Sequence, residues 1–403
     1  MAQQILSRCF VFWALVAIAA YAPAQGERPD LPQALGNPPL MMDRLQVFDT
    51  PEEWQLGDLD EVSVIEHHGA PHLQLSSERQ RYPIRGNYLT EEYATSFPFT
   101  EILPSWNVVG KEGTGVAIHV RTRDLESQRW SPWLYLGQWG RSIHWPSRTL
   151  HFSDESGATG AVNVDYLILG RPADAFQARV TFYSFDLEHG ARPALRRLAI
   201  SYSGQAPSEE AFEAYRAALA PTPEAAEWVR DLPVPFRSQV VEADAIKGSI
   251  CSPTSVSMVL AYCGIERTVQ QTALDVFDPE YGIFGNWPRN TALAGQLGLD
   301  ATIQRFRSWD DVKRQIAAGN PVIASIRFEE GEFPSNVMDS TDGHLIVVRG
   351  MTAEGDAIVN DSASRTRGNG VIYKADELAR AWFDKGGVGY VIQRPSAVPM
   401  PMN

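Results

Sequence analysis

Apolar and polar positions alternate through much of the first half of the chain. In Thr114-Gly115-Val116-Ala117-Ile118-His119-Val120, the residues Val116, Ile118 and Val120 share one face, the period-two pattern of a strand. Ala178-Arg179-Val180-Thr181-Phe182-Tyr183 alternates in the same way. Such runs extend from about Val47 to Tyr202, divided by turn clusters such as Asp154-Glu155-Ser156-Gly157, with no convincing amphipathic helix between them. The pattern predicts an all-β domain over 46–203, a sandwich or jelly roll.

The period changes after Ser203. Residues 204–230 read as a linker, with a helix-like stretch from Ser208 interrupted by Pro221-Thr222-Pro223. Beyond Asp231, helical spacing of Val256, Val259, Leu260 and Cys263 predicts a helix starting at Cys251. Two more helices are expected over 290–297 and 309–318, ended by Gly298 and Gly319. Strands follow over 321–326, 344–349, 357–360 and 371–373, then a helix over 375–383 and a strand over 388–392. Helices early and a sheet late predict an α+β domain over 231–398.

The length of 403 residues agrees with two domains. A net charge of -14 gives no nonspecific attraction to nucleic acid or to an anionic membrane face. Arg8, the apolar run Cys9 to Ala20 and Ala22-Pro23-Ala24 read as a secretory signal cleaved after Ala24. The protein is thus expected to be exported, periplasmic or extracellular, with no membrane span in the mature chain. Residues 25–45 are Pro-rich and polar, a flexible lead-in. Six tryptophans fall in the first domain: Trp54, Trp106, Trp130, Trp133, Trp139 and Trp145. They are expected mainly in its core, with one or two free for contact with a glycan or cell-wall polymer. His67-His68 with His72 lacks metal-ligand spacing and reads as surface. Neither a metal nor another cofactor is expected.

Removal of the signal leaves Cys251 and Cys263. In one helix, at ~1.5 Å rise per residue, they lie about 18 Å apart, beyond disulfide reach. Cys263 sits inside the apolar stripe as a small hydrophobe. Cys251 stands at the helix start, where unpaired N–H groups and the helix dipole favour the thiolate. A nucleophilic thiol needs a base. His344 is the only histidine after residue 189. Antiparallel pairing across the turn Ala353-Glu354-Gly355-Asp356 brings 344 and 361 nearly opposite each other, so Asp361 can orient the imidazole, with Asn360 as its rival. For an oxyanion donor beside the Cys251 N–H, spacing leaves Gln239, Gln270 and Gln271 all open.

These residues carry a resemblance. Val234-Pro235 with Ser238-Gln239, Cys251-Ser252-Pro253-Thr254-Ser255, Gly285-Asn286-Trp287-Pro288, Ser340-Thr341-Asp342-Gly343-His344 and Val359-Asn360-Asp361 resemble the papain-like cysteine peptidases related to bacteriocin-processing peptidases (the peptidase C-thirty-nine-like family). The first domain resembles the sandwich that precedes such a domain in some exported proteins, through Ser131-Pro132-Trp133, Gly137-Gln138-Trp139-Gly140 and Phe176-Gln177-Ala178-Arg179-Val180.

The resemblance implies a papain-like fold and thioester chemistry on a peptide or protein substrate, without a metal. It assigns Gln239 as oxyanion donor, Cys251 as nucleophile, His344 as base and Asp361 as orienter. Two positions depart from the pattern: Ser252 stands where many relatives have Gly, and Ser362 follows Asp361 where Pro is common. The competing reading is a non-catalytic protein that uses the second domain as a platform for carbohydrate or envelope binding.

Overall fold

A computed structural model describes residues 40–67, 69–76, 83–140, 149–186 and 190–395. The expected signal, most of the lead-in, His68, Trp145 and residues 396–398 of the expected second domain lie outside the described residues. The chain forms two compact units. Of the described residues, one unit holds those from 40 to Ala220, Thr291–Gln304 and those from Gln393 on; the other holds Pro221–Asn290 and Arg305–Ile392.

The first unit is built on β1 (Met41–Phe48), β2 (Asp58–Asp60), β3 (Val62–His67), β4 (Ala70–Leu75), β5 (Ile84–Leu89), β6 (Tyr93–Val109), β7 (Thr114–Asp124), β8 (Leu134–Trp139), β9 (His151–Ser153), β10 (Thr159–Asn163), β11 (Tyr166–Ser184) and β12 (Ala194–Gln205). All twelve join one hydrogen-bonded sheet whose central path runs β2-β5-β11-β6-β12-β4-β3. β1 begins at Met41, inside the stretch expected as lead-in, because it pairs along its whole length with β12. A short helix, α1 (Pro51–Gln55), is set by Thr50 and Glu53 in a reciprocal cap, a signature present in the sequence.

β11 is the strand on which this sheet turns. Its last residues, Arg179 to Ser184, pair with β5 on one edge and β7 on the other. Its earlier part pairs with β6 and β10. The alternation read at 178–183 implied one polar face, yet Thr181 and Tyr183 are buried as well as Val180 and Phe182. The second face is covered by a small cluster of Ala117, Tyr135 and Tyr183 with Leu150 and Phe185. Trp54, Trp106 and Trp139 are core residues. Gly137, at φ +144°, lies where a Cβ would stand 2.8 Å from the Trp106 ring, so no side chain fits there.

Segment 291–304 joins this unit through polar contacts that periodicity does not reveal. The Asn107 amide donates to Ala301 O at 2.9 Å and accepts from Ala301 N at 3.1 Å, in the manner of a peptide group. Ser105 Oγ accepts from Ile303 N at 3.2 Å. Arg196 pairs with the buried Asp300 at 2.6 Å.

The linker carries α2 (Glu209–Ala217), capped by Ser208, and α3 (Ala225–Trp228). The second unit then holds β13 (Arg230–Asp231), α4 (Cys251–Tyr262), α5 (Val269–Val276), the start of α6 (Trp287–Gln296) and α7 (Trp309–Ala317). Between α6 and α7 comes β14 (Asp300–Arg305). The unit continues with β15 (Val322–Phe328), β16 (Thr341–Met351), β17 (Ala357–Asn360), β18 (Val371–Tyr373), α8 (Ala375–Trp382) and β19 (Val388–Gln393). The antiparallel order β19-β15-β16-β17-β18, with β13 on β16, forms its sheet. α5 was not expected from periodicity, although Thr268 and Gln271 form a capping box that marks its start.

Candidate active site

The helix that presents Cys251 is buried on every side, not along one stripe. Ser252, Thr254, Ser255 and Ser257 are as deeply buried as Val256, Met258, Val259 and Leu260. Burial of four hydroxyls requires partners. Thr254 donates back to Ile250 O at 2.7 Å and Ser257 to Thr254 O at 2.7 Å. Ser252 shares a hydrogen bond with Tyr390 Oη at 3.2 Å. Ser255 donates to Leu345 O at 3.0 Å, which ties the helix carrying Cys251 to the residue following His344.

Cys251 itself is partly exposed, while Cys263 is buried at the other end of the helix, and neither is in a disulfide. The two cysteines therefore occupy the different settings expected of them.

His344 is buried on β16, and its Nε2 meets Asp361 Oδ1 at 2.7 Å. The route to this contact differs from a simple hairpin. Val347 pairs with Asn360, and the register shifts between Val348 and Gly350. Continued past Asn360, that register puts Asp361 across from Ile346, with His344 two residues further along the same face. The pair meets diagonally rather than directly opposite. Since Nε2 is engaged by the carboxylate, the nitrogen left for the Cys251 thiol is Nδ1.

Asp361 is fully buried and has three donors besides any charge attraction. They are His344 Nε2, Ala363 N at 2.9 Å on the same oxygen, and Tyr373 Oη at 2.7 Å on Oδ2. Tyr373 in turn accepts from Val337 N at 3.3 Å. Sequence reasoning missed Tyr373; only its place on a strand beside that of the acid could have suggested it. Asn360, the rival orienter, is directed elsewhere: its Nδ2 donates to Val234 O and its Oδ1 accepts from Arg349 and Gly370 N.

The electrostatics of the three groups agree in sign. Burial pushes the Cys251 thiol up, but the hydrogen bond and charge of His344, with the backbone N–H groups of Leu345 and Ser252, bring it below its ordinary value. Burial lowers His344, but the Asp361 charge and hydrogen bond, followed by those of Cys251, raise it to about 10. Burial raises Asp361, and His344, Ala363 N and Tyr373 more than offset this, so its pKa is lowered. The arrangement favours a thiolate facing an imidazolium that a carboxylate holds.

Gln239 opens a short 3-10 turn, Gln239–Val241, and is buried. Its Nε2 donates to Lys247 O at 2.7 Å, and its Oε1 accepts from Ser362 Oγ at 2.6 Å. Of the alternatives, Gln271 belongs to the α5 cap, where its Oε1 accepts from Thr268 N, and Gln270 bonds Glu242. Among the described residues no group of three His, Cys, Asp or Glu could hold a metal ion. Nor, among them, is any helix long and apolar enough to cross a membrane.

The model of the peptidase C39-like family matches residues 231–390, the stretch that holds all four groups. A second model, the peptidase C39 N-terminal domain, matches residues 44–203. Residues 231–390 thus form a peptidase C39-like domain, preceded by a domain of the C39 N-terminal type. The family of that domain implies a peptide or protein substrate. A crystal structure assigned to a C39-like peptidase from Bacillus anthracis is 19% identical, covering 41% of this chain and 96% of that one, at a TM-score of 0.32. That likeness is too low to carry an argument. No curated protein matches the chain.

Within the family-matched region, 291–304 belongs by contact to the sheet-rich unit.

Proposed function

We propose that the C39-like domain of this chain is an active cysteine peptidase with Cys251 as nucleophile. The observation that carries the reading is the His344–Asp361 contact at 2.7 Å, with the opposite ring nitrogen facing a thiol of lowered pKa. In this mechanism the Cys251 thiolate attacks the substrate carbonyl carbon. The carbonyl π electrons move to oxygen, and the Gln239 amide and the Cys251 N–H stabilise the oxyanion. The intermediate collapses, the C–N bond breaks, and the leaving amine takes its proton from the His344 imidazolium. Neutral His344 then removes a proton from water, whose oxygen attacks the thioester carbonyl. Collapse of the second tetrahedral species releases the acid and returns the thiolate–imidazolium pair. An amine in place of water would make the same acyl-enzyme a transferase intermediate.

The reading includes a papain-like fold for the second domain, a sandwich for the first, and export directed by residues 1–24. Support for the fold comes from a helix that presents the thiol against a sheet strand bearing the base. Selective alkylation of Cys251 by a fluorescent iodoacetamide, absent in Cys251→Ala, tests the nucleophile. Cleavage of a peptide library by the wild type alone tests the activity. Unselective labelling with no cleavage would reject it.

A carbohydrate- or envelope-binding role is the second reading, based on the partly exposed Trp130 and Trp133. Guanidinium groups stack on these rings: Arg121 lies 4.7 Å from the Trp130 centroid and 4.9 Å from that of Trp133, and Arg179 lies 4.7 Å from Trp133. Ring faces covered in this way are less available to sugars, which favours the catalytic reading.

A further inference from the structure

We infer that Ser362 is a positioning residue for the Gln239 amide, so that consecutive residues set two separate catalytic functions: Asp361 orients the base and Ser362 orients the oxyanion donor. This deepens the peptidase reading and rests on it. Ser362 occupies the place where a proline follows the acid in many proteins that the chain resembles, and proline has no hydroxyl to donate.

Three hydrogen bonds join the two segments. Ser362 O accepts from Gln239 N at 3.0 Å and from Ser238 Oγ at 3.1 Å. Ser362 Oγ donates to Gln239 Oε1 at 2.6 Å. Ser362 is fully buried, and Gln239 is only 6% exposed, so water is poorly placed to replace this donor.

The amide then has a defined orientation. Lys247 O is an acceptor only, so the NH2 group must face it, as it does at 2.7 Å. Turning the amide over would set Gln239 Oε1 against that carbonyl oxygen. The Ser362 hydroxyl satisfies Oε1 in the remaining orientation, and a bond accepted there polarises the amide and strengthens its N–H groups as donors. One N–H is used by Lys247 O; the second has no partner among the described residues and is the one left for an oxyanion.

Removing the Ser362 hydroxyl leaves Oε1 buried without a donor. The amide then turns or shifts to find one, and its second N–H loses its aim. The nucleophile is unaffected, because neither Cys251 nor His344 bonds Ser362.

Two small reagents separate these effects on the full-length chain. Acetylation of Cys251 by p-nitrophenyl acetate passes through a tetrahedral oxyanion: the thiolate bonds the acetyl carbon and p-nitrophenolate leaves. Alkylation by iodoacetamide displaces iodide at a saturated carbon and forms no oxyanion.

The expected result is that Ser362→Ala slows acetylation at least about tenfold, toward the ~10²–10³-fold loss expected of Gln239→Ala, while both keep alkylation within about twofold of wild type. Ser362→Thr, which keeps the hydroxyl, is expected to restore part of the acetylation rate. Wild-type acetylation in Ser362→Ala overturns the inference. So does a parallel fall in acetylation and alkylation, which would mark a structural role at the nucleophile. If wild-type Cys251 alkylates no faster than an ordinary thiol, the peptidase reading itself fails and the inference with it.

Discussion

Tyr373 Oη donates to Asp361 Oδ2 at 2.7 Å, on the carboxylate oxygen that His344 leaves unused. The hydroxyl is held by Val337 N, so a backbone donor, a phenol, a carboxylate and an imidazole lie in series behind the thiol. Each donor on a carboxylate favours its ionised form.

Tyr373→Phe removes one such donor and should raise the Asp361 pKa. Asp361 is lowered in the folded protein, so its stabilisation is present above the unfolded value and lost as pH falls through the folded one. In the variant this loss should begin at a higher pH. Urea midpoints measured from pH 3 to 6 should show the variant's decline displaced upward, and superimposable curves would contradict the role given to the phenol.

The pH dependence of Cys251 alkylation follows from opposite shifts in its pair. The reactive thiolate–imidazolium form is populated above the lowered pKa of Cys251 and below the value of about 10 for His344. Iodoacetamide reactivity should thus rise at a pH below the ordinary thiol value and form a plateau. A single rise centred at the pKa of a free thiol would mean that no ion pair forms. The linked stability has its own sign. His344 is raised, so its contribution is complete below the unfolded value and is lost as pH rises through about 10.

Asp361→Ala should lower peptide hydrolysis by ~10²–10⁴-fold, the range for a positioned acid–base group. It removes the largest influence raising His344, so the upper end of the ion-pair range in the alkylation profile should move to lower pH. Asn360→Ala, which leaves the His344 contact intact, should not displace that profile. Equal displacement in both variants would count against Asp361 as the orienter.

Asn107→Ala should destabilise the sheet-rich unit by about 2 kcal/mol, since it leaves the N–H and C=O of Ala301 without this partner. The check is the urea midpoint followed by tryptophan fluorescence. An unchanged midpoint would show that water replaces the amide.

Much of the second unit was readable along the chain. Strands over 357–360 and 371–373 occur as expected, and Cys251 opens its helix. These are short-range matters of period, turn residues and helix starts. The α4 stripe was misjudged because four hydroxyls find buried partners, two of them within one turn and two through distant groups that periodicity does not encode. The 300–305 strand was missed because its partners in the sheet-rich unit, Ser105, Asn107 and Arg196, lie about 100 to 200 residues earlier in the sequence.

The sequence alone determined the residue types of the site and their order, because a thiol at a helix start and a lone histidine in its domain are local facts. It also determined the all-β character of the first domain, through alternation. Tertiary structure decided which atoms meet. The bulge before Gly350 makes His344 and Asp361 diagonal partners, Tyr373 arrives from a neighbouring strand, and Ser362 reaches Gln239 across 123 positions. Hydrogen bonds depend on distances between atoms remote in the chain, and those distances exist only once the sheet has formed.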